Sequence, residues 1–357
     1  MQMRIRPIDL PRTMHGKVLI AGPCSAESEE QLLTTARRLH DMGVAILRAG
    51  VWKPRTKPGT FEGVGTVGLQ WLAKAKAETG MMTATEVANA AHVAAALDAG
   101  TDILWIGTRT ATDPFAVQEI ADALSGHDTT VLIKNPIAPD PELWAGAIER
   151  IYNAGIRNIA AIHRGFAAYG QSTYRNRPQW DIPLELHNRL RGISIICDPS
   201  HIAGDSRLVG ELCQQAMDLG MDGLIIESHC DPHAALSDAR QQLTPSELDG
   251  IIGSLVIGDN ACTPDERLNI LRARIDEIDD SLIGLIARRM EVVAEIGEYK
   301  RTRQMTAFQD SRYHAVLDKW RDMAAKHGLP GAFVGKLYEM IHSEAINRQI
   351  DIIRHKP

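Results

Sequence analysis

Six basic residues lie at or shortly after the ends of short apolar runs in the sequence, and their side chains suit the binding of anions. They are Arg48, Lys53, Arg55, Arg109, Lys134 and Arg164. Few acidic residues accompany them, although the whole chain is acidic, with 39 Lys and Arg against 45 Asp and Glu. Arginine and lysine hold phosphate and carboxylate groups through forked and single contacts, and clustered cations concentrate anions around them. We therefore expect phosphorylated substrates.

A second set of residues has the side chains that bind metal ions. It comprises Cys24, His201, Glu227 and Asp238. The first three follow separate apolar runs, and the fourth lies eleven residues after the third. A thiolate, an imidazole and two carboxylates suit a divalent metal that polarises a carbonyl oxygen. This mixed donor set does not select one metal, so Mn, Fe, Co, Zn and Cu all remain open.

These residues need a scaffold that brings distant parts of the chain together. Between residues 17 and 258, β-branched apolar runs alternate with longer segments of helical period, which is typical of βα units. Eight runs predict strands, at residues 17–21, 45–49, 81–84, 103–106, 130–133, 158–162, 194–197 and 223–226. Eight such units predict a closed (β/α)8 TIM barrel, in which the residues after the strands meet at one mouth. An open doubly wound sheet is the alternative, but residues 21–28 lack the glycine pattern of a dinucleotide-binding turn.

The alternation of predicted strands and helices ends near residue 258. Residues 258–266 form a polar segment that contains glycine and proline, which indicates a domain boundary. We assign a barrel domain to residues 1–258, a linker to 259–265 and an all-α domain to 266–357. Thr263 and Pro264 predict the start of the first helix, and residues 310–326 and 332–354 predict two more.

The first of these helices carries an apolar seam with one basic residue in it. The seam residues are Leu271, Ile275, Ile278, Leu282, Leu285, Val292 and Ile296. Their steps of four and three are typical of a coiled coil, and Arg289 occupies the skipped position. A buried charge without a partner costs several kcal/mol, so Arg289 predicts a bound anion. Lys300 lies about three turns further along the same face, whereas Arg272 points about 100° away and could serve a neighbouring chain.

The composition excludes several classes of protein. Apolar residues make up 44% of the chain and charged residues 24%, which is typical of globular domains and not of disordered or fibrous chains. The net charge of −6 argues against a nucleic-acid partner. The amino-terminal segment has no continuous apolar stretch, which predicts no signal peptide, no membrane span and a cytoplasmic location. Five cysteines without paired spacing predict no disulfide framework.

The motifs of the barrel resemble those of the 3-deoxy-D-arabino-heptulosonate 7-phosphate (DAHP) synthase family, in its short bacterial form. The motifs are GPCS, LRAG, KPRT, IGTR, HRG, DPSH and IESH. The resemblance implies condensation of phosphoenolpyruvate with erythrose 4-phosphate, the first step of the shikimate pathway to the aromatic amino acids. It also implies that the metal is bound by Cys24, His201, Glu227 and Asp238, with Mn expected ahead of Co, Fe, Zn or Cu.

The same resemblance implies roles for the basic residues. Phosphoenolpyruvate would be held by Arg48, Lys53, Arg109, Lys134 and Arg164. Arg55 and Thr56 would contact erythrose 4-phosphate, and Lys53 is also a candidate proton shuttle. His163 stands where many relatives carry Glu. The related 3-deoxy-D-manno-octulosonate 8-phosphate synthases typically have Asn-Arg in place of the Pro-Arg of KPRT, so this motif favours the four-carbon sugar.

The segment 271–300, with FQDSRY and IHSEAINRQ after it, resembles the all-α chorismate mutase family. This resemblance implies an intertwined homodimer that rearranges chorismate to prephenate. Arg289, Lys300 and Arg312 of one chain and Arg272 of its partner would bind the carboxylates, while Lys300 and Gln349 would address the ether oxygen. Tyr313 and Ala345 replace a Glu and a Ser of the best-known pattern, which predicts altered contacts to the substrate hydroxyl and reduced activity.

Two classes of function follow for the helical domain. It could be a second enzyme on the same chain, or a non-catalytic sensor of chorismate or prephenate that controls the barrel, and the two roles are compatible. About 16 residues precede the first predicted strand, so we expect feedback inhibition, with prephenate as the candidate, to act through the helical domain. A purely structural dimerisation role would leave Arg289 unexplained.

Overall fold

The computed structural model describes residues 3–53, 59–167, 172–258 and 266–354. The chain divides into two compact units, Met1–Asn260 and Ala261–Pro357. Arg55, Thr56, Thr263 and Pro264 lie outside the described residues, as does the whole predicted linker.

The first unit is a closed barrel of eight parallel strands in sequence order. The strands are β1 Val18–Gly22, β2 Ile46–Arg48, β3 Met82–Val87, β4 Ile103–Ile106, β5 Thr130–Lys134, β6 Asn158–His163, β7 Ser194–Cys197 and β8 Gly223–Glu227. Strand β1 pairs with β8 along its full length, which closes the barrel. The predicted TIM barrel is confirmed and the open sheet is wrong. All eight predicted runs form strands, and β3 differs most because it continues to Val87.

Ten helices lie between or after these strands within the described ranges. They are α1 Glu29–Asp41, α2 Val67–Thr79, α3 Ala90–Asp98, α4 Thr108–Ala111, α5 Pro114–Leu124, α6 Pro141–Asn153, α7 Asp181–Arg189, α8 Pro199–Ala203, α9 Val209–Asp218 and α10 Pro245–Ser254. Helices α5 and α6 begin in the same way, with an aspartate cap followed by proline. Such starts fix where a loop ends and a helix begins.

Two layers of apolar side chains fill the barrel unit, because alternate strand residues point to opposite faces of the sheet. Val18 and Ile20 of β1 pack in the interior, whereas Leu19 and Ala21 pack against the surrounding helices. Ile8, from the segment before β1, joins the interior layer at the amino ends of the strands. The interior is therefore a packed core, and the carboxyl ends of the strands are the place for a site.

The second unit contains α11 Glu266–Thr302, α12 Asp310–Lys326 and α13 Gly331–Arg354, which confirms an all-α three-helix domain. Its small core is built from Met290, Val293 and Ala345. The seven residues of the apolar seam on α11 are instead between 42% and 65% exposed. The seam is thus an exposed apolar surface. Within the described ranges, none of the helices has an apolar stretch that could cross a membrane.

Candidate functional site

The carboxyl ends of several strands place charged side chains at one mouth of the barrel. Arg48, Lys134 and Glu227 are the last residues of β2, β5 and β8. Gly22 at the end of β1 has a φ of +149°, and a Cβ built there would lie 2.1 Å from the carbonyl oxygen of Arg48. Only glycine allows this close approach of two backbones. The local sequence therefore brings Cys24, two residues later, next to the end of β2.

Three of the predicted metal ligands form a compact cluster. The ligand atoms of Cys24, Glu227 and Asp238 all lie within 4.8 Å of one another. Nε2 of His201 lies 3.6 Å from Oε1 of Glu227, so the fourth predicted ligand borders the same cluster. Asp238 adopts a left-handed backbone with a φ of 44°, which is uncommon for a residue with a side chain and typical of functional sites. The donor set fits a divalent metal.

The surroundings of Cys24 raise the pKa of its thiol and that of the neighbouring Lys53. Burial and the negative charge of Glu227 raise the pKa of Cys24 to about 12. The Lys53 ammonium opposes this shift and donates a hydrogen bond to the sulfur over 3.1 Å. Burial would lower the pKa of Lys53, but Cys24 and Glu227 raise it above its ordinary value. The raised pKa of the Cys24 thiol favours its protonated form, so metal binding at Cys24 would release a proton. The raised pKa of Lys53 favours its charged form.

Arg48 and Lys134 form the buried part of the predicted anion site. Arg48 is 1% exposed and donates to Glu227 over 3.1 Å, while its Nε and Nη1 have no partner among the described residues. Both cations lie over the ring of Trp105, Arg48 at 5.0 Å and Lys134 at 5.9 Å from its centre. Buried donors without a partner cost free energy, which an anionic ligand could recover.

The expectation that few acidic residues accompany these cations is wrong for two of them. Glu227 pairs with Arg48, and Asp198 pairs with Lys134 over 2.8 Å. Both carboxylates are fully buried. Cations withdrawn from water need such partners, since an isolated buried charge is strongly unfavourable. The site is therefore a network of mixed charge, in which Arg48 has two donor atoms without a partner among the described residues.

Arg164 and Arg109 extend the basic surface. Arg164 donates to Asn176 over 2.7 Å. Burial lowers the pKa of Arg164 to about 10, and the positive charges of Arg175 and Arg109 contribute to this despite opposition from Asp198. The three guanidinium groups therefore share one electrostatic environment. The predicted sugar-phosphate contacts, Arg55 and Thr56, lie outside the described residues.

Three supporting residues escaped the sequence analysis. Gln241 donates to Oε2 of Glu227 over 2.7 Å, and Asn176 donates to the carbonyl of His201 over 2.7 Å. Both lie outside the strands and helices that define the mouth, so nothing in their spacing indicates a role. Asp198 directly follows β7 and could have been found from that position. It accepts from Nδ1 of His201 over 3.0 Å.

Replacing Asp198 with asparagine should weaken metal binding by about 10- to 100-fold, as loss of a partner of a metal-binding histidine typically does. Burial would raise the pKa of Asp198, but His201 and Lys134 hold it well below its usual range, so the carboxylate is charged when it orients the imidazole. The measurement is calorimetric titration of metal-free protein with Mn2+.

The matched control for this variant is Asp205→Asn. Asp205 is also a buried aspartate that caps a backbone amide and pairs with cations, Arg207 and Arg240. It contacts none of the four predicted ligands through those bonds. Equal affinities for Mn2+ in the two variants would contradict a role for Asp198 in positioning His201.

The helical unit holds a second candidate site, a cavity of about 420 Å3 among its three helices. Its polar lining includes Arg289, Lys300, Arg312, Gln309, Tyr338, His342 and Gln349. No Asp or Glu is among the described residues that line it. Nη1 of Arg289 and Oε1 of Gln349 are buried without a hydrogen-bond partner in the described part of the chain. A cavity with three cations and free polar atoms suits a ligand with two carboxylates.

The structure brings together most of the residues predicted for this second site. Lys300 is 7% exposed and donates to the carbonyl of Ala307 over 2.6 Å, and burial lowers its pKa. Arg272 does not line the cavity. It precedes Arg289 by 17 residues on α11, which is about 25 Å along a helix axis. A contribution from the Arg272 of a second chain therefore stays a prediction.

Comparison with known proteins adds the family context of both units. Residues 13–255 match the DAHP synthetase I family, and residues 271–350 match chorismate mutase type II. A phospho-2-dehydro-3-deoxyheptonate aldolase of Thermotoga maritima is 33% identical over 228 residues, which are 63% of this chain and 64% of that protein. The chain thus spans about 64% of the length of this relative.

Other relatives and solved structures share the barrel. A 2-dehydro-3-deoxyphosphooctonate aldolase of Nitratidesulfovibrio vulgaris is 26% identical over 257 residues, 64% of this chain and 88% of that protein. The crystal structure of the Thermotoga maritima DAHP synthase aligns with a TM-score of 0.60 and 30% identity over 66% of this chain and 67% of that one. Its truncated form gives a TM-score of 0.58 at 29% identity, over 66% of this chain and 84% of that one.

Proposed function

The chain belongs to the DAHP synthetase I family and carries a chorismate mutase type II domain, and from this premise we propose that one polypeptide has two activities. The barrel condenses phosphoenolpyruvate with erythrose 4-phosphate to give DAHP. The helical domain rearranges chorismate to prephenate. Both substrates of the barrel and the product of the mutase belong to the route to aromatic amino acids, for which we expect a cytoplasmic location.

The observation that carries the barrel proposal is Arg48, a buried cation beside the cluster of metal-ligand types, with two donor atoms that have no partner in the part of the chain that the structure describes. Cys24, His201, Glu227 and Asp238 would hold the divalent metal, which would supply polarisation of the aldehyde oxygen. Arg48, Lys134 and Arg164 hold the phosphate and carboxylate of phosphoenolpyruvate and so fix its enol carbon near the aldehyde.

Lys53 is the proposed proton donor of the barrel reaction. Its ammonium lies 3.1 Å from the Cys24 sulfur, so it can reach an oxygen held beside the same ligands. When the enol carbon attacks the aldehyde, the aldehyde oxygen gains negative charge and needs a proton to become a hydroxyl. Water adds to the neighbouring carbon that bears the phosphate, and the bond to that phosphate breaks, so inorganic phosphate leaves and a keto group remains. A lysine that carries its charge at the site can supply that proton.

The test of the barrel proposal is loss of phosphoenolpyruvate in the presence of Mn2+ and either of two sugars. We expect rapid consumption with erythrose 4-phosphate and little with arabinose 5-phosphate, the acceptor expected for an octulosonate phosphate synthase. The reverse preference would support that related family instead. Repeating the assay with Co2+, Fe2+, Zn2+ and Cu2+ identifies the metal that supports the highest rate.

For the helical domain, the cavity with Arg289, Lys300, Arg312 and Gln349 supports the mutase proposal. Chorismate carries two carboxylates and rearranges without a nucleophile, so binding it in a compact conformation and stabilising developing charge on the ether oxygen is sufficient catalysis. We further propose that prephenate bound in this cavity inhibits the barrel. Such control requires that prephenate bind two states of the protein with different affinities.

We propose that the exposed seam of α11 is covered by a second copy of the chain. Ile278, 65% exposed, lies on this seam. Seven exposed apolar side chains along one helix are unfavourable in water, and their steps of four and three suit packing against another helix. The resulting dimer would also allow Arg272 of one chain to complete the cavity of the other.

Replacing Ile278 with aspartate should convert the dimer to monomers and lower chorismate turnover at least tenfold, because a charge in an apolar interface is strongly unfavourable. Sedimentation or light scattering measures the mass. The control is Ala287→Asp, since Ala287 is exposed and lies two and a half turns away, on the opposite side of the helix. A wild-type chain that is monomeric at micromolar concentration would contradict the seam as an interface.

A further inference from the structure

Three polar residues that line the helical cavity, Gln309, Tyr338 and His342, have no role in the functions proposed above, and His342 is the one with a buried polar atom that lacks a partner among the described residues. His342 of α13 lines the cavity together with Arg289 and Lys300. Its Nε2 is buried and has no hydrogen-bond partner among the described residues. Buried polar atoms are almost always paired, so an orphan nitrogen beside a cavity needs an explanation. A ligand in the cavity is the partner that the structure leaves room for.

Three aromatic side chains hold the imidazole in place. Its ring centre lies 4.9 Å from that of Tyr313, 5.5 Å from that of Tyr338 and 6.1 Å from that of Phe308. The ring of Tyr338 is close to parallel with it, at 24°. These contacts fix the plane of the imidazole without supplying a hydrogen bond. A fixed polar group costs little ordering entropy when a ligand binds.

The surroundings of His342 favour its neutral form. Burial and the positive charges of Arg289 and Lys300 lower its pKa, and no Asp or Glu is among the described residues around the cavity. The other titratable groups near it are Arg312 and Tyr313 of α12 and Tyr338 of its own helix. A neutral imidazole offers one donor and one acceptor. It is therefore suited to an uncharged polar group of a ligand, whereas the cations suit carboxylates.

We propose that His342 binds the hydroxyl group of chorismate and is a specificity-determining residue of the helical site. This inference rests on the proposed mutase function and deepens it. Chorismate has two carboxylates, an ether oxygen and one hydroxyl, and Arg289, Lys300, Arg312 and Gln349 account for all but the hydroxyl. His342 packs on Tyr313, one of the two positions where the chain departs from the best-known pattern. The imidazole thus replaces the hydroxyl contact that the change at Tyr313 removes.

The test compares chorismate turnover in His342→Phe and His342→Asn. Phenylalanine keeps a ring between Tyr313 and Tyr338 but removes both nitrogens, and we expect kcat/KM to fall about tenfold, the effect of one lost hydrogen bond. Asparagine keeps a neutral donor and acceptor and should restore part of the loss. The control is His314→Phe, the same exchange on an exposed histidine that pairs with Asp310, and it should change nothing.

The outcomes separate a contact from packing. Wild-type turnover in His342→Phe would overturn the inference, as would an equal loss in both variants, because a packing role gives no recovery with asparagine. If the intact chain does not turn over chorismate, the same comparison is made on the Kd for prephenate, which keeps the hydroxyl. If Arg289→Ala binds prephenate as the wild type does, the proposed site as a whole is wrong. If Arg289→Ala loses prephenate binding but His342→Phe binds prephenate normally, only the inference on His342 is wrong.

Discussion

Replacing Cys24 with alanine is expected to abolish DAHP formation and leave chorismate turnover at its wild-type rate. The Cys24 sulfur is fully buried and lies within 4.8 Å of the carboxylate oxygens of Glu227 and Asp238. Its loss therefore removes one donor atom from the predicted metal site. Loss of about 4 kcal/mol of charge stabilisation at a carbonyl oxygen corresponds to a rate about 10³-fold lower. The measurement is the rate of phosphoenolpyruvate loss, together with metal content.

The control for this prediction is Cys213→Ala. Cys213 is equally buried in α9, and burial alone raises the pKa of its thiol. It lies in the apolar core between sheet and helices, so its replacement should cost stability but neither metal nor activity. If Cys24→Ala keeps metal-dependent activity near the wild-type rate, the proposed ligand set is wrong.

Replacing Arg289 with alanine should lower chorismate turnover by about 10²- to 10³-fold while DAHP formation continues. Nη1 of Arg289 is buried without a partner in the described part of the chain, at a cavity with no acidic lining among those residues. Arg289 would pair with a carboxylate of the substrate, and removing one partner of such a buried ion pair costs about 2–5 kcal/mol of binding free energy. The neighbouring Arg288 is exposed, so Arg288→Ala serves as the control and should retain full activity.

The same variant tests the proposed feedback. We expect prephenate to slow DAHP formation by the intact chain and to have no effect on Arg289→Ala, whose uninhibited rate should be unchanged. If prephenate binds the intact chain and leaves the kinetics of the barrel unaltered at every concentration, the proposed regulation is wrong. If prephenate slows the barrel but chorismate is not consumed, the helical domain is a sensor, and Tyr313 and Ala345 are the first residues to examine.

Sequence patterns predict the barrel and much of its site because both depend on regular structure. The count of βα units gives the fold, and the position after a strand locates Arg48, Lys134 and Glu227 at one mouth. Pairing within that mouth is less predictable. The partnership of Lys134 with Asp198 joins residues 64 positions apart, and no local pattern encodes it.

Residues outside regular strands, and residues on helix faces that carry both polar and aromatic side chains, cannot be predicted in this way. Asn176 acts from a loop and Gln241 from a short 3-10 helix, Ala239–Gln241, and the course of both segments depends on the whole fold. His342 lies on a helix face with aromatic neighbours from another helix, and a single histidine in such a position is most often a packing residue. Its buried nitrogen, which has no hydrogen-bond partner among the described residues, can be recognised only from the three-dimensional structure.

The most direct test of the central claim is to follow both reactions in one purified sample of the intact chain, before and after removal of divalent metal by a chelator. We expect the untreated sample to consume phosphoenolpyruvate with erythrose 4-phosphate and, separately, to convert chorismate to prephenate. Chelation should stop only the first reaction, because the cavity of the helical unit relies on its own cations. An untreated sample that carries out neither reaction, or a chorismate rearrangement that stops with the metal, would contradict two independent sites on one chain.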